Sequence, residues 1–77
     1  MNNTRRKELR QAYQLLEQAV FIIETANQEE QESLDNLSEN LQASPLALEL
    51  EENADRLWMI AGDINDAMSE LVTVIGD

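Results

Sequence analysis

The side chains with chemical potential in this chain are carboxylates: 16 Asp and Glu against five Lys and Arg. Paired acids can do general acid–base work or hold a divalent metal. The spacing here supports neither. Di-metal sites in helix bundles use inward-facing Glu together with Glu-x-x-His, and the chain has no His. Asp63, Asn65 and Asp66 loosely resemble a calcium loop, but the Gly and terminal Glu that such a loop needs are not in place. Without Cys or His there is no thiol or imidazole chemistry. Lys7 is the only lysine and sits near a terminus, and Ser33, Ser38, Ser44 and Ser69 lack a His partner. Glycine occurs only at Gly62 and Gly76, too sparsely for a phosphate-cradling loop. The expectation is a protein that is not an enzyme and uses no cofactor and no metal.

What remains is binding. A chain of 77 residues makes one domain, and its core is marginal at this size. Disulfides are excluded by the lack of Cys, so self-association is the stabilising route left. The net charge of −11 repels nucleic acid and anionic lipid and favours basic protein surfaces. It also keeps a sticky helical chain soluble. The apolar run Ala19-Val20-Phe21-Ile22-Ile23 is bracketed by Glu17 and Glu24 and is too short for a signal-peptide core or a membrane span. A cytoplasmic location is the resulting expectation.

The elements that must position any binding surface are helices. From about residue 4 to 32 strong helix formers dominate, with Thr4 as the expected N-cap. Leu9, Ala12, Leu16, Ala19, Ile23 and Ala26 recur at heptad spacing and predict a seam. The stretch from about 33 to 44 is rich in Asn, Ser and Asp and reads as a turn, with Leu37 and Leu41 folding back over its end. Ser44-Pro45 starts a second helix from about 45 to 75, and Gly76 fits its C-terminal cap. Its seam is Leu50, Ala54, Leu57, Ala61, Ile64, Met68, Leu71 and Ile75. Folding back near residue 40 pairs Ala26 with Ala54, Ala19 with Ala61 and Ala12 with Met68. Small residues facing small residues, with Gly62 alongside, predict a close approach. The fold class expected is an all-α, two-helix antiparallel hairpin, coiled-coil-like, that dimerises into a four-helix bundle.

Two helices cannot bury all of this apolar surface. Ala19 to Ile23 lies level with Leu57 to Ala61, and both stretches are apolar on every side. This belt requires a neighbour other than water. A second copy of the chain and a different protein are both candidates. Tyr13, Phe21, Trp58, Met59 and Ile60 are the expected apolar contacts.

Charge is graded along the expected rod of about 45 Å. Arg5, Arg6, Lys7 and Arg10 lie near the start, whereas Glu24 to Asp55 contains ten acids and no base. Glu70 and Asp77 return to the first end and are offered as partners for the basic cluster. Glu29, Glu30 and Glu32 oppose the helix dipole and predict fraying at the end of helix one. With Glu51, Glu52 and Asp55 they are the expected charged contacts at an acidic tip.

The turn Asp35-Asn36-Leu37-Ser38-Glu39-Asn40-Leu41-Gln42-Ala43-Ser44, followed by Leu50-Glu51-Glu52-Asn53-Ala54-Asp55-Arg56-Leu57, resembles a family of short bacterial and phage-encoded helical-hairpin proteins. That family carries an Asn-Leu-Pro-Glu-x-Leu-Gln-x-Ser turn, and Ser38 stands where its Pro is usual. The resemblance implies a hairpin and a phage setting in the host cytoplasm. The role expected from it is a small acidic accessory protein that binds, and inhibits, a host protein. The alternative is a structural module that only self-assembles.

Overall fold

The computed structural model describes residues 1–76. Helix α1 spans Asn3–Asp35, a one-turn 3-10 segment spans Glu39–Leu41, and helix α2 spans Pro45–Ile75. The two long helices pack along their lengths as an antiparallel hairpin. The rod measures 59 × 15 × 14 Å, longer than the expected length of about 45 Å: α1 alone is about 50 Å at the helical rise, and the turn segment extends beyond its end. Its radius of gyration, 17.4 Å, exceeds the roughly 11.5 Å of a compact domain of this length.

The cap of α1 lies two residues before the expected one. Asn2, not Thr4, is the N-cap: its Oδ1 accepts a hydrogen bond from the Arg5 N–H at 2.8 Å. Asn is at least as good a cap as Thr, and starting there lengthens the helix. The far end is helical through Glu29 to Glu32. Helix continues to Asp35, and Gln42 explains how its end is held. The Gln42 side-chain amide donates to the Leu34 carbonyl (3.1 Å) and to the Leu37 carbonyl (2.9 Å). The Leu34 carbonyl is one that a helix end leaves without its regular intrahelical partner, and Leu37 lies in the turn just beyond, so Gln42 ties the turn to the helix end.

α2 follows the sequence closely. The Ser44 hydroxyl accepts from the Ala47 N–H at 3.3 Å, Pro45 occupies the first turn, and Gly76 ends the helix with φ 78°. That left-handed conformation is one that glycine adopts without steric cost. Leu37 folds in to half-burial, but Leu41 stays exposed. Asp77, one of the counter-ions offered for the Arg5–Arg10 cluster, lies outside the described residues.

The α2 seam is the predicted one. Ala54, Ala61, Met68 and Ile75 are buried, together with Ala47, and Leu50, Leu57, Ile64 and Leu71 are half-buried. α1 differs. Two heptad tracks overlap on it, and the helices seat the second: Leu9, Tyr13, Leu16, Val20, Ile23, Asn27, Glu30 and Leu34. Val20 is the one buried residue of α1, and the others on this track are half-buried. The predicted track of Ala12, Ala19 and Ala26 lies half-buried at the edge. The choice follows from apolar area. The second track shields Val20 and Tyr13 in place of two alanines, and it reaches Leu34 where the first would reach Ser33.

Consequently the expected packing of small on small is replaced by large on small. Val20, Ala61 and Met68 form the central cluster, with Tyr13, Leu16, Ile23 and Ile64 packed on it. Asn27 donates its side-chain amide to the Ala54 carbonyl, one residue from the expected Ala26–Ala54 pairing. The heptad register is therefore the one expected from the loop length. Gly62 is not a point of close approach: a Cβ placed there meets nothing within 4 Å.

Candidate protein-interaction surfaces

The seam divides the rest of the hairpin into two flanks. In an antiparallel helix pair, positions just beside the seam on one helix adjoin the same positions on the other. One flank therefore joins Glu17, Phe21, Glu24 and Gln28 of α1 to Trp58, Asn65 and Val72 of α2. The grooves between the helices show this directly. A groove of about 290 Å³ is lined by Phe21, Glu24, Gln28, Leu57, Trp58 and Ala61, among others. Its neighbour is lined by Tyr13, Glu17, Phe21, Glu24, Asn65 and Met68, among others.

Phe21 and Trp58 are thus brought together. They are 72% and 71% exposed, and Glu24 lies in the same groove. No Lys or Arg lines this groove or the one beside it. An aromatic pair bordered by carboxylates can accept an apolar side chain that carries a cation nearby. Gly62, one helical turn past Trp58, is exposed and leaves space beside the indole.

The other predicted contacts do not join this pair as one site. Tyr13 turns inward and packs on the Val20–Ala61–Met68 cluster, so it is half-buried and serves the fold. Met59 points away from the seam and is 65% exposed. Ile60 falls on the opposite flank. There Leu15, Ile22, Ile60 and Val74 are exposed, together with Ala67, and Ala19 beside them is half-buried. The belt expected from sequence is therefore two surfaces, one a groove between the helices bordered by acids and one mainly apolar, with Glu29 beside Ile22 at its edge.

The acids are likewise dispersed. Glu30 is half-buried and accepts a hydrogen bond from the Asn53 amide across the helices at 3.3 Å. Glu32 accepts one from Gln28 at 3.3 Å. Glu29 lies on the outer side of α1 beside Phe21 and Ile22, and Glu51 lies by the turn beside Pro45 and Leu48. Glu52 and Asp55 are exposed. Among the described residues no three acids converge as a metal site, and no helix is long and apolar enough to cross a membrane.

Reasoning from the sequence missed Asn27 and Gln42, the two amides that fasten helix to helix and turn to helix. Polar residues interrupting an apolar heptad track were the available signal for Asn27. Leu15 joins Ile22 on one surface that the helical spacing alone makes legible. Their seven-residue spacing, matched by Ile60, Ala67 and Val74, was the sign. No protein-family model, curated protein or solved structure matches this chain.

Proposed function

We propose that the hairpin acts by binding another protein, with the Phe21–Trp58 groove as the docking surface. Its occupant is a segment that presents apolar and cationic side chains together, such as one face of a basic amphipathic helix. The observation that carries this reading is the exposure of two large aromatic side chains in one acid-bordered groove. The fold has no use for them, since the seam closes on Val20, Ala61 and Met68 without them. Aromatic anchors of this kind commonly supply most of the binding energy at interfaces. Complementary charge would speed encounter and select basic partners. In the phage setting that the turn's resemblance implies, the occupant belongs to a host or phage protein whose activity the hairpin blocks.

Trp58 is the single tryptophan, so its emission reports directly on the groove. Titration with a Leu/Lys amphipathic peptide should shift the emission to the blue, and a Leu/Glu peptide should not. Phe21→Ala should weaken the Leu/Lys interaction by about tenfold, or 1.4 kcal/mol. Equal affinity of Phe21→Ala and the parent chain would overturn the reading. In cells, capture of the bound protein should likewise depend on Trp58 and Phe21, whereas Met59→Ala, outside the groove, should leave it unchanged. The second reading, a module that only self-assembles, draws on the opposite flank alone.

A further inference from the structure

We infer that the flank carrying Leu15, Ile22, Ile60 and Val74 is covered by a second copy of this chain, laid antiparallel to the first, in a four-helix bundle. The dimer does not rest on the docking reading, because it uses the other side of the hairpin. Three observations support it.

The first is area. The chain exposes 5944 Å². A compact monomer of 8.8 kDa exposes about 4,800 Å². The excess is about 1,100 Å², and a stable complex of standard size buries roughly 800 Å² per partner. A face 59 Å long and about 15 Å wide has a footprint of that order.

The second is the thinness of the core. Among the described residues six are buried, three of them alanines, and no side chain is less than 2% exposed. A single seam of this kind, with no disulfide, is weak support for a free-standing 77-residue fold. The four named side chains are between 45% and 67% exposed, and they lie on one flank. The opposite flank is interrupted by Glu17, Glu24, Gln28 and Asn65.

The third is charge, which selects both the occupant's orientation and its identity. The half of the hairpin nearest the turn, residues 24–57, holds ten acids and one base, Arg56, for a net charge of −9. The other half holds six acids and four bases, for a net charge of −2. Two copies aligned in parallel would set the −9 halves side by side. A two-fold axis near Ala19, perpendicular to the rod, separates them to opposite ends. It brings Arg5, Arg6, Lys7 and Arg10 level with residues 28–33 of the second copy, where Glu29, Glu30 and Glu32 lie. It also sets Leu15 against Ile22 of the second copy and Arg56 level with its Glu70. Asp63 lies near the axis and opposes its own counterpart, a cost that two Arg56–Glu70 pairs offset. In this arrangement every adjacent pair of helices runs antiparallel, which favours the helix dipoles.

Sedimentation equilibrium and a spin-label distance test the inference together. The intact chain should sediment as a dimer, and Ile22→Lys and Ile60→Lys should each give monomers whose helicity by circular dichroism is no higher than the parent's and whose unfolding midpoint is lower. Phe21→Ala, on the other flank, should remain a dimer. A label at Glu8→Cys should report an axial separation of about 33 Å between copies, from eleven residues on each side of Ala19. In a parallel dimer the same labels would lie side by side. A monomeric parent chain, a dimer lost with Phe21→Ala but kept with both Lys variants, or a short label distance would each overturn the inference. If one Lys variant unfolds, the other and the label distance still decide.

Discussion

Val20→Ala and Trp58→Ala should rank opposite to the sizes of the side chains removed. Val20 is 6% exposed at the centre of the seam, against Ala61 and Met68. The substitution deletes two methyl groups, about 0.8 kcal/mol each in transfer terms, and the cavity left between two rigid helices raises the loss to about 2 kcal/mol. For 77 residues the unfolding entropy near the midpoint is about 0.16 kcal/mol/K, so the melting temperature should fall by about 12 °C. A fully buried Trp→Ala would cost about 3–5 kcal/mol. Trp58 is 71% exposed, so its removal should cost less than about 1 kcal/mol and move the midpoint by less than about 6 °C. Thermal unfolding followed by far-UV circular dichroism, at one fixed protein concentration, measures both. A larger drop for Trp58→Ala would mean that the indole is packed inside the folded protein, contrary to the groove described here. A neutral Val20→Ala would mean that α1 seats its alanine track after all.

Ser44→Ala removes the oxygen that accepts the Ala47 N–H and should cost about 1 kcal/mol in urea unfolding. Gly62→Ala should raise stability by about 1 kcal/mol, since the position is helical, exposed and unobstructed; a loss would reveal a contact at that site. Asn27→Asp sets a carboxylate where an amide donates to the Ala54 carbonyl, and it should cost about 1–3 kcal/mol. Asn65→Asp, on an exposed position, is its control and should be nearly neutral, so equal effects would refute the role given to Asn27. Cysteines at positions 20 and 61 should cross-link on mild oxidation, which checks the seam directly.

The sequence alone determined the two helices, the Ser44-Pro45 start, the Gly76 stop and the α2 seam from Leu50 to Ile75, but not its first buried residue, Ala47. These follow from local rules: capping chemistry, backbone restriction, and an unbroken four-and-three spacing of apolar residues on α2 from Leu50 to Ile75. It also showed that the apolar belt exceeds what one hairpin covers, because that depends only on composition around each helix. Three things were decided by the tertiary structure. It chose the Val20 track over the Ala19 track. It turned Tyr13 inward, and it split the belt into an acid-bordered aromatic groove and a plain apolar flank. The physical reason is degeneracy. Where residues 19 to 23 are all apolar, periodicity fixes the seam only to within one position. The choice then falls to the helix packed alongside, and to fasteners such as Asn27 and Gln42 whose acceptors are distant in sequence or lie across the turn.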